Sequence, residues 1–261
     1  MGSKVPAADN TLRILQLLAS RKTPTPAAMI ATLLQLPRSS VYQLLTVMHE
    51  HGFVSHYPED KSYGLGIASF ELSSAYTRQE PLARLSAPLV AQLVDKIGES
   101  AHLAVLHGSD VLYIVEDRAK GRPSLVTDVG VRLPSHLTAS GRAILAALPK
   151  SQVRALYPNA ASFSDRVEQS SINSYSQLRR ELDQTSQRGY AVERGDVTEN
   201  FHSIAVEIRD SNKWPVAAIA VTFLADRVPE QDWDKLVTQI RSTASVLTSR
   251  IQGRRVAHQP T

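Results

Sequence analysis

Two stretches of this chain carry side chains whose types and spacing could do chemistry. The first runs Arg38-Ser39-Ser40-Val41-Tyr42-Gln43-Leu44-Leu45-Thr46. On a helix, Ser39, Tyr42, Gln43 and Thr46 share one face, with Arg38 and Ser40 at its N-terminal end. Such groups hydrogen-bond to base edges and phosphates, and the free N–H groups of a helix start suit phosphate. A polar face that merely meets water has the same pattern, but it needs no aromatic at Tyr42. The second stretch is Thr138-Ala139-Ser140-Gly141. Thr138 can cap a helix beginning at Ala139, leaving the N–H groups of Ala139, Ser140 and Gly141 outward for a carboxylate. Gly141 keeps the approach open. An ordinary capped helix with no ligand shares this signature.

Catalytic alternatives are thin. Ser140 with His136 or His202 is the pairing on which a small-molecule hydrolase could be built, but no spacing supports it. Glycine-rich phosphate loops, G-x-S-x-G and H-E-x-x-H are missing. His102, His107, His136 and His202 lack the short spacings of zinc sites, so neither metal nor cofactor is expected.

The elements that must position these groups are legible from periodicity. Asn10 is a candidate cap for a helix carrying Leu12, Ile14, Leu15, Leu17 and Leu18. Thr25-Pro26 reads as a cap with proline at the first position of a second helix, through Met29, Ile30, Leu33 and Leu34. Leu36-Pro37 interrupts it. A third helix follows with Val41, Leu44, Leu45 and Met48 as one buried stripe and Gly52 as its stop. Strand-like residues 53–57 and 62–65 flank the polar turn Pro58-Glu59-Asp60-Lys61, a hairpin that would serve as a wing bearing His56 and Lys61. Helical patterns over 67–78 and 81–97 suggest a linker and the start of a second domain, and their apolar stripes offer surfaces for pairing subunits. Beyond them the expected strands are 102–106, 111–116, 125–129, 191–193, 204–208 and 216–224. The expected helices are 139–148, 175–188 and 230–251. This alternation is α+β.

Composition narrows the class. At 261 residues with 43% hydrophobic and 21% charged residues, the chain suits one large or two ordinary soluble domains. No apolar run reaches the ~20 residues of a membrane span. There is no cysteine and no signal-peptide pattern, so the cytoplasm is the expected compartment. A net charge of +4 permits nucleic-acid binding without proving it, and no polybasic tail is present.

A resemblance joins these pieces. The run Leu36 to Leu45 followed by His51-Gly52-Phe53-Val54 resembles the winged-helix region of the IclR family of bacterial regulators. So do Leu133-Pro134-Ser135-His136-Leu137-Thr138-Ala139-Ser140-Gly141-Arg142-Ala143, then Arg188-Gly189-Tyr190-Ala191-Val192-Glu193, then Ser203 through Asp210. Each motif is weak alone; in this order and spacing they are specific. The resemblance implies a winged helix-turn-helix over 8–66, a linker helix over 67–80 and a GAF/PAS-like effector-binding domain over 81–253. It implies homodimers or tetramers on palindromic double-stranded operators. It further implies a small organic-acid effector surrounded by Ala139, Ser140, Gly141, Glu193, Phe201, Ser203, Ala220 and Thr222, with Leu125 as an apolar wall. Glu193 would repel a carboxylate unless it is protonated or faces a donor; an exposed strand-end charge is its other reading. Phe201 could stack on an aromatic effector or fill core. The chain departs from the family at Gln43, commonly Arg, and at Asn200, commonly glycine, where Asn still tolerates positive φ.

Overall fold

The computed structural model describes residues 5–21, 23–72, 81–123, 125–163 and 172–252. Two compact units divide between Glu80 and Pro81.

In the first unit α1 (Pro6–Ala19), α2 (Ala27–Leu34) and α3 (Arg38–Glu50) pack with an antiparallel sheet. Its order is β1 (Thr25–Pro26), β3 (Ser62–Leu65), β2 (Val54–Tyr57). Ile14, Ile30, Val41, Leu45 and Met48 form the core; burying each aliphatic side chain contributes roughly 1.5–3 kcal/mol. The α2–α3 turn puts Gln35 at φ 55, while Leu36 N–H reaches Ala31 O at 2.9 Å. Pro37, with no N–H to lose, then starts α3. Gly52, at φ 72, ends α3 as expected. Its N–H bonds His49 O, and Phe53 N–H bonds Met48 O, both at 2.9 Å, the paired bonds of a Schellman motif.

Two expected caps are corrected. Helix α1 begins at Pro6, so Asn10 lies inside it and accepts from Arg13 at 3.2 Å; proline in the first turn supplies the start instead. Thr25 and Pro26 are extended and pair with Tyr63 and Ser62. A residue before proline is pushed out of the helical region, and the hairpin gains a third strand. Residues 67–72 are helical (α4), with Ile67, Phe70 and Leu72 exposed. The rest of the expected linker helix, 73–80, lies outside the described residues.

The second unit comprises α5 (Pro81–Ile97), β4 (Ser100–His107), β5 (Asp110–Asp117), β6 (Arg132–Pro134), α6 (Ala139–Ala147), α7 (Lys150–Leu156), α8 (Tyr175–Arg188), β7 (Ala191–Arg194), β8 (Phe201–Arg209), β9 (Pro215–Leu224) and α9 (Trp233–Ile251). The strands form one antiparallel sheet in the order β6-β5-β4-β9-β8-β7. Helices α5 and α9 cover one face, burying Leu103, Ile204, Ile219, Val221 and Phe223. Helix α6 covers the other, over Ala104, Ala191, Ala205, Ala218 and Ala220. The period-2 alternation of β9 thus separates large residues from small ones, and the alanine face lets α6 approach closely.

A bulge between Leu103 and Ala104 shifts the register, so Leu103 faces Val115 while Ala104 faces Tyr113. The extra residue, Ile114, reverses the parity of β5. Val111 and Tyr113 therefore join the α6 face, whereas Val115 joins the α5/α9 core.

Several expectations fail here. Residues 125–129 are irregular rather than a strand; the strand that pairs with β5 is β6, further on. Helix α7 was not expected. The final helix starts at Trp233, after a short 3₁₀ turn over Glu230–Asp232. The α5 stripe, expected to be open to a second subunit, is occupied by its own domain, since Leu89 and Leu93 are buried in the core. No helix among the described residues is long and apolar enough to cross a membrane.

Candidate functional site

The first unit presents α3 as expected. Arg38, Ser39, Tyr42, Gln43 and Thr46 are exposed, and Ser40 is half-buried. The first helical backbone bond is made by Val41 N–H to Pro37 O at 3.1 Å, which leaves the N–H groups of Arg38, Ser39 and Ser40 free. Thr46 donates its hydroxyl to Tyr42 O at 2.9 Å, so outward it offers only lone pairs and a methyl group. Lys61 is exposed at the tip of the β2–β3 hairpin with φ 47, and His56 stacks on Tyr63 with ring centroids 4.6 Å apart.

The second unit holds a pocket where the polar end of the α6 face meets the start of α6. The sheet contributes His102, Tyr113, Glu193, Phe201, Ser203 and Thr222; the helix start contributes Thr138, Ala139 and Ser140. Two loops close it, with Leu125, Val126 and Thr127 on one side and Val197 and Thr198 on the other. The atom-free space, open mouth included, is ≈ 350 Å³, of which ≈ 20 Å³ admits the centre of a water molecule. That is room for about one ordered water, so a larger guest must displace wall side chains.

Each wall has an anchor. Thr138 accepts from Gly141 N–H at 3.0 Å, and Arg142 N–H bonds Thr138 O, leaving the N–H groups of Ala139 and Ser140 without partners. Buried Arg142 donates from Nε to His136 O and from one terminal nitrogen to Val192 O, both at 2.8 Å. Its other terminal nitrogen meets Asp196 at 2.6 Å. It thereby ties the 195–199 loop to α6. Arg122 binds buried Glu99 at 2.8 Å and 3.0 Å, fixing the chain that leads to Leu125. Asn200 adopts φ 65, in the left-handed region that asparagine tolerates.

The electrostatics set which species a guest meets. Burial pushes the His102 imidazole down to about 3, leaving it neutral. Burial, with Glu193 nearby, raises Tyr113, so it remains a phenol; the Ser140 and Thr138 hydroxyls oppose that shift. Glu193 is also raised by burial, against the pull of Val197 N–H at 3.1 Å, the Ser203 hydroxyl and Arg142. The Ser203 and Thr222 hydroxyls bond each other at 2.9 Å. Three buried polar atoms of the lining residues make no hydrogen bond of good geometry: His102 Nδ1, Thr127 Oγ1 and Ser140 Oγ.

Of the residues expected around an effector, Leu125, Ala139, Ser140, Glu193, Phe201, Ser203 and Thr222 line this pocket. Two do not. Gly141 has its N–H taken by Thr138, and a Cβ there would strike the Ser135 backbone, so it serves close packing rather than access. Ala220 is fully buried in the cluster that seats Ala139 and Ala143 on the sheet. Glu193 is 2% exposed, which removes the strand-end reading. His102, Tyr113, Thr127 and Thr198 were missed. In the sequence His102 is one of several scattered histidines, and Tyr113 reaches the pocket through a bulge that no periodicity announces. Ser140 Oγ makes no hydrogen bond to either expected histidine: His136 packs edge-on to Tyr157 and Phe163, and His202 packs edge-on to Phe223 and Trp233. Among the described residues, no three His, Asp or Glu side chains converge on a metal site.

A winged helix with a polar outer face, followed by an α+β domain with a pocket at a capped helix start, is the architecture of a DNA-binding regulator with a second, pocket-bearing domain. Residues 7–58 match the IclR helix-turn-helix domain, and residues 74–249 match the bacterial transcriptional regulator IclR C-terminal domain. The chain belongs to the IclR family of transcriptional regulators. It is 31% identical over 216 residues to the probable transcriptional regulator SauR of Cupriavidus necator, covering 82% of this chain and 84% of that one. An IclR regulator from Alicyclobacillus acidocaldarius superposes with a TM-score of 0.82 at 21% identity, covering 95% and 99%. An IclR homologue from Microbacterium hydrocarbonoxydans, complexed with 4-hydroxybenzoate, superposes with 0.78 at 22% identity, covering 94% and 98%.

Proposed function

We propose that this regulator's operator affinity is set by a small organic acid held at the start of α6, with its carboxylate on the N–H groups of Ala139 and Ser140. The observation that carries the reading is the meeting at that pocket of three buried polar atoms, His102 Nδ1, Thr127 Oγ1 and Ser140 Oγ, that make no hydrogen bond of good geometry. Each such group costs stability while unpaired, and an acid with polar substituents would supply the missing partners. Phe201 offers a ring face to an aromatic guest, in keeping with the 4-hydroxybenzoate held by the Microbacterium homologue. The ligand is bound and released unchanged, since Ser140 has no hydrogen-bonded base.

On the DNA side, α3 enters the major groove. Arg38, Ser39 and Ser40 meet phosphate, Tyr42, Gln43 and Thr46 meet base edges, and Lys61 on the wing touches the backbone. One such module buries too little surface for tight binding. Two copies, as a homodimer or within a tetramer, therefore read a palindrome with half-sites about one helical turn apart or a multiple of it. The working division is a DNA-binding domain over 8–66, a linker helix over 67–80 and an effector domain over 81–253. A thermal-shift screen of small organic acids tests the sensory half. An acid at 100 times its Kd should stabilise the chain by about 2.7 kcal/mol, and Ser140→Trp, which fills the pocket, should lose that shift. A screen in which no acid separates the two proteins would refute the site.

A further inference from the structure

The pocket's charge balance says more than that it accepts an acid. Glu193 is the one formally charged side chain among its lining residues; no lysine or arginine lines it. The cation that acts on Glu193 is Arg142, and its three nitrogens are committed to His136 O, Val192 O and Asp196. The groups that face Glu193 from the surrounding elements bring no positive charge to the cavity either. His102 on β4 is neutral, Tyr113 on β5 is an un-ionised phenol, and Ser203 on β8 and Thr222 on β9 are bonded to each other. Asp196, on the loop after β7, adds negative charge that is answered by Arg142. What remains to attract an anion is the start of α6, worth roughly half a positive charge, aided by the Ser140 hydroxyl, which makes no hydrogen bond of good geometry.

That supply fits one carboxylate. A second carboxylate on the same guest would share an enclosed, cation-free cavity with Glu193, and two such groups cannot both stay ionised without cost. A donor at the same position meets the opposite situation. Glu193 already accepts from Val197 N–H at 3.1 Å and is within reach of the Ser203 hydroxyl, yet a carboxylate has about four acceptor positions, so acceptor capacity is left over.

We infer that the pocket selects organic acids with a single carboxylate and a hydrogen-bond donor as their second polar group, and that Glu193 is the residue that reads that second group. The inference rests on the reading of the pocket as an organic-acid site. Isosteric pairs that differ only in the second group test it: terephthalate against 4-carbamoylbenzoate, and fumarate against fumaramate. Binding is measured by calorimetry on the full chain at pH 7.5. The amide acid of at least one pair should bind at least about tenfold more tightly than its diacid. In Glu193→Gln, whose neutral amide can itself donate, that gap should collapse. Should the variant fail to fold, the wild-type chain carries the test alone. The gap should then narrow as the pH is lowered from 7.5, because burial holds the Glu193 carboxyl above the usual carboxylate range and it takes up a proton before the diacids do. Equal affinities within a pair, a tighter diacid, or a gap that persists in Glu193→Gln and at low pH would each overturn the inference and leave the organic-acid site standing. If all four compounds fail to bind at millimolar concentration, the organic-acid reading falls, and this inference with it.

Discussion

Gly141 and Arg142 show how adjacent residues serve the pocket without lining it. Gly141→Ala would drive a methyl group into the Ser135 backbone, forcing the start of α6 to move. A loss of about 1–3 kcal/mol in urea unfolding is expected, as for other overpacked sites, together with weaker acid binding. Arg142→Met should cost more, about 3–5 kcal/mol, because it removes a buried guanidinium that serves half-buried Asp196 and two carbonyls. Two buried histidines set the acid limit. His102 and His136 are held at about 3 and about 4, both below the unfolded value of 6.5. Below pH 6.5 the unfolded chain therefore binds protons that the folded chain refuses, and stability falls as pH drops toward 4. Together the pair adds a slope approaching about two protons. Urea midpoints at pH 7, 5.5 and 4.5 would show it, and His102→Asn should remove about one proton of that slope. An unchanged slope in the variant would mean that His102 titrates normally.

Helices were more legible in the sequence than strands, and the reasons are local. The α3 stripe of Val41, Leu45 and Met48 survives because a 13-residue amphipathic helix repeats its signal several times. By contrast, β6 has three residues and an exposed start, and α7 has a single buried residue, Val153. Neither is long enough to show a period. The 125–129 segment looks like a strand because Leu125, Val126 and Val129 are apolar, yet only Leu125 points inward, while Val126 and Val129 stay exposed. The pocket was half-readable for the same reason: its helix start and late strands follow regular periods, whereas Tyr113 depends on a bulge and Thr127 on an irregular loop. At this scale α3 offers two tests. Tyr42→Ala and Gln43→Ala should each cost about 1–3 kcal/mol of operator binding and spare non-specific DNA. Arg38→Ala should weaken all sequences alike and flatten the salt dependence; equal operator affinity in all three would remove α3 from the groove. The α2–α3 turn offers a stability test. Gln35→Gly, at φ 55, should leave stability unchanged or raise it by up to about 1 kcal/mol in urea unfolding, and a clear loss would mean that the Gln35 side chain is needed.

As a whole molecule, the chain places the α3 surface in the unit ending at Glu80 and the pocket at the start of α6 in the unit starting at Pro81. If an acid in the pocket sets operator affinity, the two sites are coupled, and coupling through any mechanism must be reciprocal. The direct measurement uses the first acid identified in the screen and the operator duplex. Operator Kd is titrated with and without saturating acid, and acid Kd with and without saturating operator, for the wild-type chain and for Ser140→Trp. The account predicts the same factor from both directions in the wild type, within about 5–150-fold. It also predicts unchanged operator binding and no response to the acid in the tryptophan variant. A variant that responds as the wild type does, or an acid that binds this pocket and leaves operator affinity untouched, would contradict it.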